Sequence, residues 1–234
     1  MSTVGVILAA GSGSRTGLST PKQFIPLGGK TVLEHSVQTF HNHPGIDQVV
    51  IVTSKEYIEK VQSMVQANNW TKVTAVLPGG KERYDSSLAA VRHFSNNPEM
   101  IMLFHDAARP LVSERIISDT LKAMKTYNAV DVAIPAVDTI VQCNKEGTYM
   151  TSIQDRSLLW RMQTPQGFRQ KTIARAYDIA LKDPQFTATD DCGTVLRYLP
   201  KEKVGIVRGS ERNIKLTYAA DVSLLEFLLS TPER

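Results

Sequence analysis

The chain of 234 residues has only two cysteines, Cys143 and Cys192, far apart and without a C-x-x-C or Cys/His spacing. Neither a disulfide framework nor a zinc site is indicated, and two isolated structural thiols are expected. No apolar run approaches the roughly 20 residues of a membrane span. The Met-Ser-Thr start leads straight into a strand, without a charged n-region and a signal-like apolar stretch. The expectation is a cytoplasmic protein with no membrane partner. Charge of one sign is scarce as well. The 27 basic and 23 acidic residues leave +4, too weak and dispersed for a nucleic-acid binder and better suited to a small anionic substrate. No low-complexity segment or Pro/Gly-rich linker divides the chain, so one domain over 1–234 is expected. Hydrolase signatures are missing: there is no G-x-S-x-G elbow, no H-E-x-x-H and no Ser/His/Asp spacing.

What is present begins at the start of the chain. An apolar run from Val4 to Ala10 breaks at Gly11 into Gly-Ser-Gly-Ser-Arg-Thr-Gly and reaches Thr-Pro-Lys-Gln-Phe at 20–24. A buried strand ending in such a loop, with Arg15 and Lys22 on it, suits phosphate. Glycines let backbone N–H groups approach oxygens, and the two cations meet the charge that phosphoryl chemistry concentrates. A P-loop is excluded because Leu18, not Lys-Ser or Lys-Thr, follows Gly17. A dinucleotide fingerprint is excluded because Gly11, Gly13 and Gly17 are one residue too widely spaced at the end. The second strand, moreover, closes on Thr53-Ser54 without a ribose-binding acid. A nicotinamide dehydrogenase is disfavoured on those grounds, and an ordinary strand-to-helix turn is the plain alternative.

Strand and helix patterns alternate from there, which predicts a mostly parallel sheet covered on both faces. Thr31-Val-Leu-Glu34 is a capping box with Leu33, Val37 and Phe40 on one helical face. Gln48 to Thr53 reads as a strand, and Tyr57, Ile58, Val61, Met64 and Val65 mark a helix. A strand around Val73 to Leu77 ends in Pro-Gly-Gly, and a helix opens near Ser86. The apolar run Met100 to Phe104 stops at His105-Asp106-Ala-Ala-Arg109-Pro110. Ligands of open α/β sheets bind outside the carboxyl ends of strands, so the first loop, the Gly79-Gly80 turn and the Asp106 loop are expected to converge. Asp138 to Ile153 breaks the alternation with a β-hairpin around Asn144-Lys-Glu-Gly147, an arm at about 138–154. A hairpin inserted in a parallel fold either caps the site or reaches a partner chain. Alternation then resumes, with helices from about Gln170 to Leu181 and after Thr189, a strand at Val204 to Val207, and a last helix after Thr217.

Asp106 is either a Mg²⁺ ligand, with triphosphate oxygens filling the remaining sites, or a loop carboxylate paired with Arg109. His105 reads as a structural histidine because no second metal-ligating residue accompanies it. Gly79-Gly80-Lys81-Glu82-Arg83 either binds a base or ribose or is a simple turn. Asp190 and Asp191 suit a helix start, with a second metal site as the minor reading. Arg156 and Lys215 are candidate clamps for a second phosphate.

Taken in order, Leu-Ala-Ala-Gly-x-Gly-x-Arg with Pro-Lys-Gln-Phe, Gly-Gly-x-Glu-Arg-x-Asp-Ser, His-Asp-Ala-Ala-Arg-Pro, Asp-Arg-Ser…Trp…Gln-Thr-Pro-Gln, Thr-Asp-Asp and Asn-Ile-Lys resemble the cytidylyltransferases that make CDP-activated polyols. The detail is most similar to the 2-C-methyl-D-erythritol 4-phosphate cytidylyltransferase family. The resemblance implies a Rossmann-like, glycosyltransferase-A-like nucleotidyltransferase fold, CTP as co-substrate and Mg²⁺ as cofactor. It implies that Leu8, Ala9, Ala10, Gly11, Gly80, Ser86, Asp106 and Ala107 hold CTP, and that Arg15 and Lys22 stabilise the transition state. Asp106 would meet the metal and the sugar. Arg109, Arg156, Thr164, Thr189 and Lys215 would position the polyol phosphate, and Thr139 on the hairpin would enter a partner subunit's site in a homodimer. Thr16 departs from the methionine common after the loop arginine. Cys192-Gly193 and the run at 130–141 are also similar to ribitol 5-phosphate cytidylyltransferases, while Ala108 and Asp155 favour the methylerythritol group. A nucleotide-binding module without turnover is the rival of another class, and one with no chemical reason to keep Arg15, Lys22 and Asp106 together.

Overall fold

Strand β1 (Thr3–Ala9) is buried along its whole length, and its side chains alternate between two cores. Ile7 and Ala9 face one apolar cluster while Val4, Val6 and Leu8 face the other. The structure is a computed structural model and describes residues 2–11, 20–188 and 190–231. Arg15 and Thr189 therefore lie outside the described residues.

A short turn at Lys22–Phe24 leads to β2 (Pro26–Leu27) and β3 (Lys30–Thr31), a small antiparallel pair. Helix α1 (Val32–Asn42) follows, and the expected capping box is formed: Glu34 N donates to Thr31 Oγ1 and Thr31 N to Glu34 Oε2. Strand β4 (Gln48–Thr53), helix α2 (Ile58–Ala67), strand β5 (Val73–Pro78), helix α3 (Arg83–His93), strand β6 (Ile101–Asp106), helix α4 (Glu114–Ala123) and strand β7 (Ala129–Pro135) continue the alternation. Helix α3 starts before Ser86 because Glu82 caps it, with Asp85 closing a second box on the Glu82 N–H. The arm consists of β8 (Val141–Cys143) and β9 (Met150–Ile153), antiparallel and forming a sheet of their own.

After the arm two short strands that the sequence did not lead one to expect precede the expected helix from Gln170. Strands β10 (Trp160–Met162) and β11 (Gln166–Arg169) both run antiparallel to β7, and β11 also pairs antiparallel with β6. Helices α5 (Gln170–Ala180) and α6 (Asp191–Tyr198), strand β12 (Val204–Arg208) and helix α7 (Ala220–Ser230) complete the chain. The main sheet has eight strands. Its order is β5-β4-β1-β6-β11-β7, with β10 further along β7 and β12 beside β7 in parallel. Pairings among β1, β4, β5 and β6 are all parallel. Helices α1, α2 and α4 pack on one face, and α3, α5 and α6 on the other.

Two further details bear on the site. Buried Cys192 is the structural thiol expected, but Cys143 is exposed on β8, so the second structural thiol is a correction. Helix α7 covers a third small core through Leu225, against Ala108 and Leu216, and Arg212 Nη2 donates to the carbonyls of Leu228 and Thr231 at the end of that helix. No helix among the described residues is long and apolar enough to cross a membrane.

Candidate active site

Three strand ends meet at a cavity of about 360 Å³. Strand β1 contributes Leu8 and, just beyond it, Ala10 and Gly11; the turn after β5 contributes Gly80 to Arg83, and β6 ends in Asp106. Lys22, Ser86, Ala108, Ala188 and Lys215 close the walls. The β5–α3 turn needs glycine for close approach: a Cβ on Gly79 would stand 2.6 Å from both Ala10 Cβ and Ser86 Oγ, and one on Gly80 would overlap Asp85. Four cations (Lys22, Lys81, Arg83, Lys215) face two carboxylates (Glu82, Asp106) on the lining, an excess that favours a polyanionic ligand.

Lys22 stands beside Gly11, whose absent Cβ would be 3.8 Å from Lys22 Cε. Its turn is pinned by Phe24, which is buried, meets Tyr57 edge-on and lies under the Lys60 ammonium at 3.9 Å. Lys215 is delivered by the Asn-Ile-Lys segment. Buried Asn213 donates to Thr164 O (2.8 Å) and Gln163 Oε1 (3.2 Å), and Leu216 N donates to Ala108 O (2.8 Å).

Asp106 is clamped on both oxygens. Arg83 Nε donates to Oδ1 at 3.2 Å and Lys215 Nζ to Oδ2 at 2.6 Å. Burial alone would push this carboxyl upward, but the Arg83 and Lys215 charges outweigh it and hold the group well below the usual carboxylate range. The alternative pairing with Arg109 is not formed. Arg109 donates instead to Asn213 O (2.6 Å) and Met162 O (3.3 Å), and it does not line the cavity.

Behind Asp106 the hydrogen bonds fix a tautomer. Burial lowers the His105 pKa to about 4, so the ring is neutral. Its Nε2 lies 3.0 Å from Arg109 O, which can only accept, so Nε2 carries the proton and Nδ1 accepts from Thr164 Oγ1 at 2.9 Å. Thr164 Oγ1 in turn accepts from Asp106 N (3.1 Å). Both the imidazole and the Thr164 hydroxyl are thus committed inside the wall, His105 in the structural role expected of it.

Of the residues named from sequence, Leu8, Ala10, Gly11, Lys22, Gly80, Ser86, Asp106 and Lys215 come together on the cavity. Ala9 and Ala107 lie behind it, buried, with Ala107 N donating to Leu8 O (3.0 Å). Thr139 and Arg156 are exposed at the arm and are not brought to the cavity of their own chain; Arg156 Nη1 donates to Val137 O. Sequence reasoning passed over Arg83 and Asp191. Arg83 sat in a quoted motif without a role, and Asp191 was taken for a helix-start acid. Asp190 does that work, accepting from Gly193 N at 2.8 Å, while Asp191 is fully buried against Arg83. Among the described residues no cluster of three or more His, Cys, Asp or Glu side chains could hold a metal alone. A lone ionised Asp106 fits Mg²⁺ only if the ion brings most of its ligands on a triphosphate.

Comparison with known proteins gives the same direction. A family described as 2-C-methyl-D-erythritol 4-phosphate cytidylyltransferase (IspD) matches residues 3–231. The enzyme of that name from Thermobifida fusca is 44% identical over 96% of this chain and 92% of its own length. The bifunctional ribulose 5-phosphate reductase/CDP-ribitol pyrophosphorylase Bcs1 of Haemophilus influenzae is 43% identical over 97% of this chain, which spans 48% of that longer protein. The crystal structure of 4-diphosphocytidyl-2C-methyl-D-erythritol synthase from Anaerococcus prevotii superposes with a TM-score of 0.85 at 26% identity, covering 98% of this chain and 96% of that one. A cationic cavity at the strand ends, and a family match running almost from end to end, place the chain in the 2-C-methyl-D-erythritol 4-phosphate cytidylyltransferase family of nucleotidyltransferase enzymes.

Proposed function

We propose that the protein transfers the cytidylyl group of CTP to 2-C-methyl-D-erythritol 4-phosphate, releasing pyrophosphate and forming 4-diphosphocytidyl-2-C-methyl-D-erythritol. The observation that carries this reading is the meeting of Lys22, Lys215 and the Gly80–Ser86 wall around one ionised Asp106. The Leu8–Gly11 backbone, Gly80 and Ser86 suit the cytidine end of CTP. Lys22, with Arg15 from the same loop, would offset the charge that develops as the bond between the α-phosphorus and the pyrophosphate oxygen breaks. The attacking atom is an oxygen of the acceptor phosphate. Its second pKa near 6 leaves it largely a dianion at neutral pH, so no general base is needed. That agrees with a His105 whose two nitrogens are already committed. Mg²⁺, when bound through the triphosphate and Asp106, would neutralise phosphate charge. Lys215 and Thr189 would orient the acceptor phosphate.

Arg156 and Thr139 would serve a neighbouring copy, since they are remote from the cavity of their own chain. In this reading the arm makes a homodimer. The exposed Tyr149, Met150 and Ile153 along it support that assignment. A cytoplasmic setting accords with small, water-soluble phosphate substrates.

A second acceptor, ribitol 5-phosphate, is favoured by one observation: the 43% identity to the Haemophilus protein named for CDP-ribitol formation, level with the 44% to the methylerythritol enzyme. Pyrophosphate release from CTP measured side by side with both polyol phosphates decides between them. Faster turnover of 2-C-methyl-D-erythritol 4-phosphate is expected. Preference for ribitol 5-phosphate would replace the first acceptor, and tight CTP binding without pyrophosphate from either would identify a binding module instead.

A further inference from the structure

Asp191 has no exposed surface, yet it is one hydrogen bond away from the cavity lining. Its Oδ2 accepts from Arg83 Nη1 at 2.6 Å and from Ser87 Oγ at 3.1 Å, and its Oδ1 accepts from the Tyr177 hydroxyl. Ser87 and Tyr177 are themselves fully buried. Burial and the Asp191 charge push the Tyr177 hydroxyl far above its ordinary pKa, so it stays a donor. The Arg83 guanidinium therefore spans two carboxylates: Nη1 on Asp191, Nε on Asp106. Arg83 and Lys215 balance Asp106 and Asp191, two charges against two. The arrangement ties the first turn of α3, which continues the Gly80–Ser86 wall, to the start of α6, a few residues after Ala188 of the cavity lining.

An arginine with a single anchor is free to swing. A planar guanidinium readily takes a carboxylate with two nitrogens at once, and that geometry on Asp106 would draw the carboxylate off Lys215. The second anchor at Asp191 holds Arg83 to one nitrogen on Asp106 and leaves the other oxygen of Asp106 to Lys215. Burying a charge so completely is costly unless it is paired, and here Arg83, Ser87 and Tyr177 all donate to the two oxygens of Asp191.

We propose that Asp191 is a positioning residue: together with Ser87 and Tyr177 it fixes the Arg83 guanidinium and, through it, Asp106 in the orientation that cytidylyl transfer uses. This rests on the function proposed above. The test is a double-mutant cycle on the full chain with Asp191→Asn, Arg83→Met and both. Pyrophosphate release and calorimetric CTP affinity are read for each, with a thermal melt as a check of folding. Asp191→Asn is expected to lower kcat about tenfold, and the double variant to be no slower than Arg83→Met alone, since Asp191 acts only through Arg83. Losses that multiply, or an Asp191→Asn variant within twofold of wild type, overturn the proposal. Should Asp191→Asn fail to fold, Tyr177→Phe and Ser87→Ala take its place in the cycle. Each is expected to cost about threefold with Arg83 present and nothing without it, and a cost that persists on Arg83→Met overturns the proposal. If the wild type releases no pyrophosphate, the function itself is wrong, and the cycle is then read on CTP affinity. A change confined to the Arg83 background supports the positioning role, and an additive change refutes it.

Discussion

At the cavity, Asp106, Arg83, Lys215 and Asp191 answer one another's charges within a single chain, whereas on the arm every residue of β8 and β9 is exposed. Tyr149, Met150 and Ile153 each leave 64–68% of their surface to solvent. The cavity is pre-organised before any ligand arrives, which is what electrostatic catalysis requires. The arm is held by its own turn, with Asn144 Oδ1 accepting from Thr148 N and Tyr149 N, but its apolar side chains have no cover among the described residues. One region pairs its charges within the chain, and the other leaves apolar side chains exposed.

Four substitutions can break or sharpen this contrast. The largest effect is expected from Lys22→Ala, which removes a cation from the cavity lining. Turnover should fall about 100-fold or more with an unchanged melt, and near-normal pyrophosphate release would remove Lys22 from the chemistry. Arg156→Ala, just after the arm, should raise the KM for the polyol phosphate about tenfold while leaving that for CTP alone, as steady-state kinetics would reveal. Equal shifts in both constants would detach Arg156 from the acceptor. Ile153→Asp places a charge on the uncovered face and should halve the mass seen by light scattering. A wild type already monomeric at working concentration would refute the dimer.

The smallest effect concerns a buried carboxylate in which burial outweighs the one nearby cation, Arg109. Asp131 on β7 is as hidden as Asp106, but its close polar contact is Gln166 Nε2 at 2.9 Å. Burial, with the nearby Asp190 charge, raises its pKa to about 7 from an ordinary 3.8. Between those values the native state keeps a proton that the unfolded chain has lost, so stability falls as pH rises through that window. His105 acts with the opposite sign: held at about 4 against an ordinary 6.5, it stays neutral while the unfolded chain is protonated, and stability is lost as pH falls through that range. Asp131→Asn keeps an acceptor for Gln166 and should raise Tm by a few degrees at pH 8, with less gain at pH 5. Equal gains at both pH values would show that Asp131 is ionised in the fold.

Elements with strong local signals were legible in advance. Strand β4 runs Gln48–Thr53 as read, because β-branched residues stop there at a polar pair. Helix α1 announced itself through Thr31 and Glu34. By contrast β10 and β11 are three and four residues long, mixed in character, and become strands only because β6 and β7 offer ladders to them. At the site, glycines and strand-end residues were readable because backbone geometry restricts them. The burial of Asp191 was not, since its ion-pair partner Arg83 lies 108 positions away and nothing local separates it from the capping Asp190. A separation of 109 positions likewise hides Lys215 as a partner of Asp106, for which the sequence offered a metal or the neighbouring Arg109.

The grip of Arg212 on the last carbonyls of α7 makes the end of the chain a remote support for the cavity. Between that clamp and Lys215 lie only Asn213 and Ile214, and Leu216 packs under Leu225 of the same helix. Shortening the chain before residue 220, or fusing a bulky tag that peels the helix away, would loosen the strap that carries the Lys215 ammonium. An affinity tag for this enzyme therefore belongs at the other terminus or behind a long spacer.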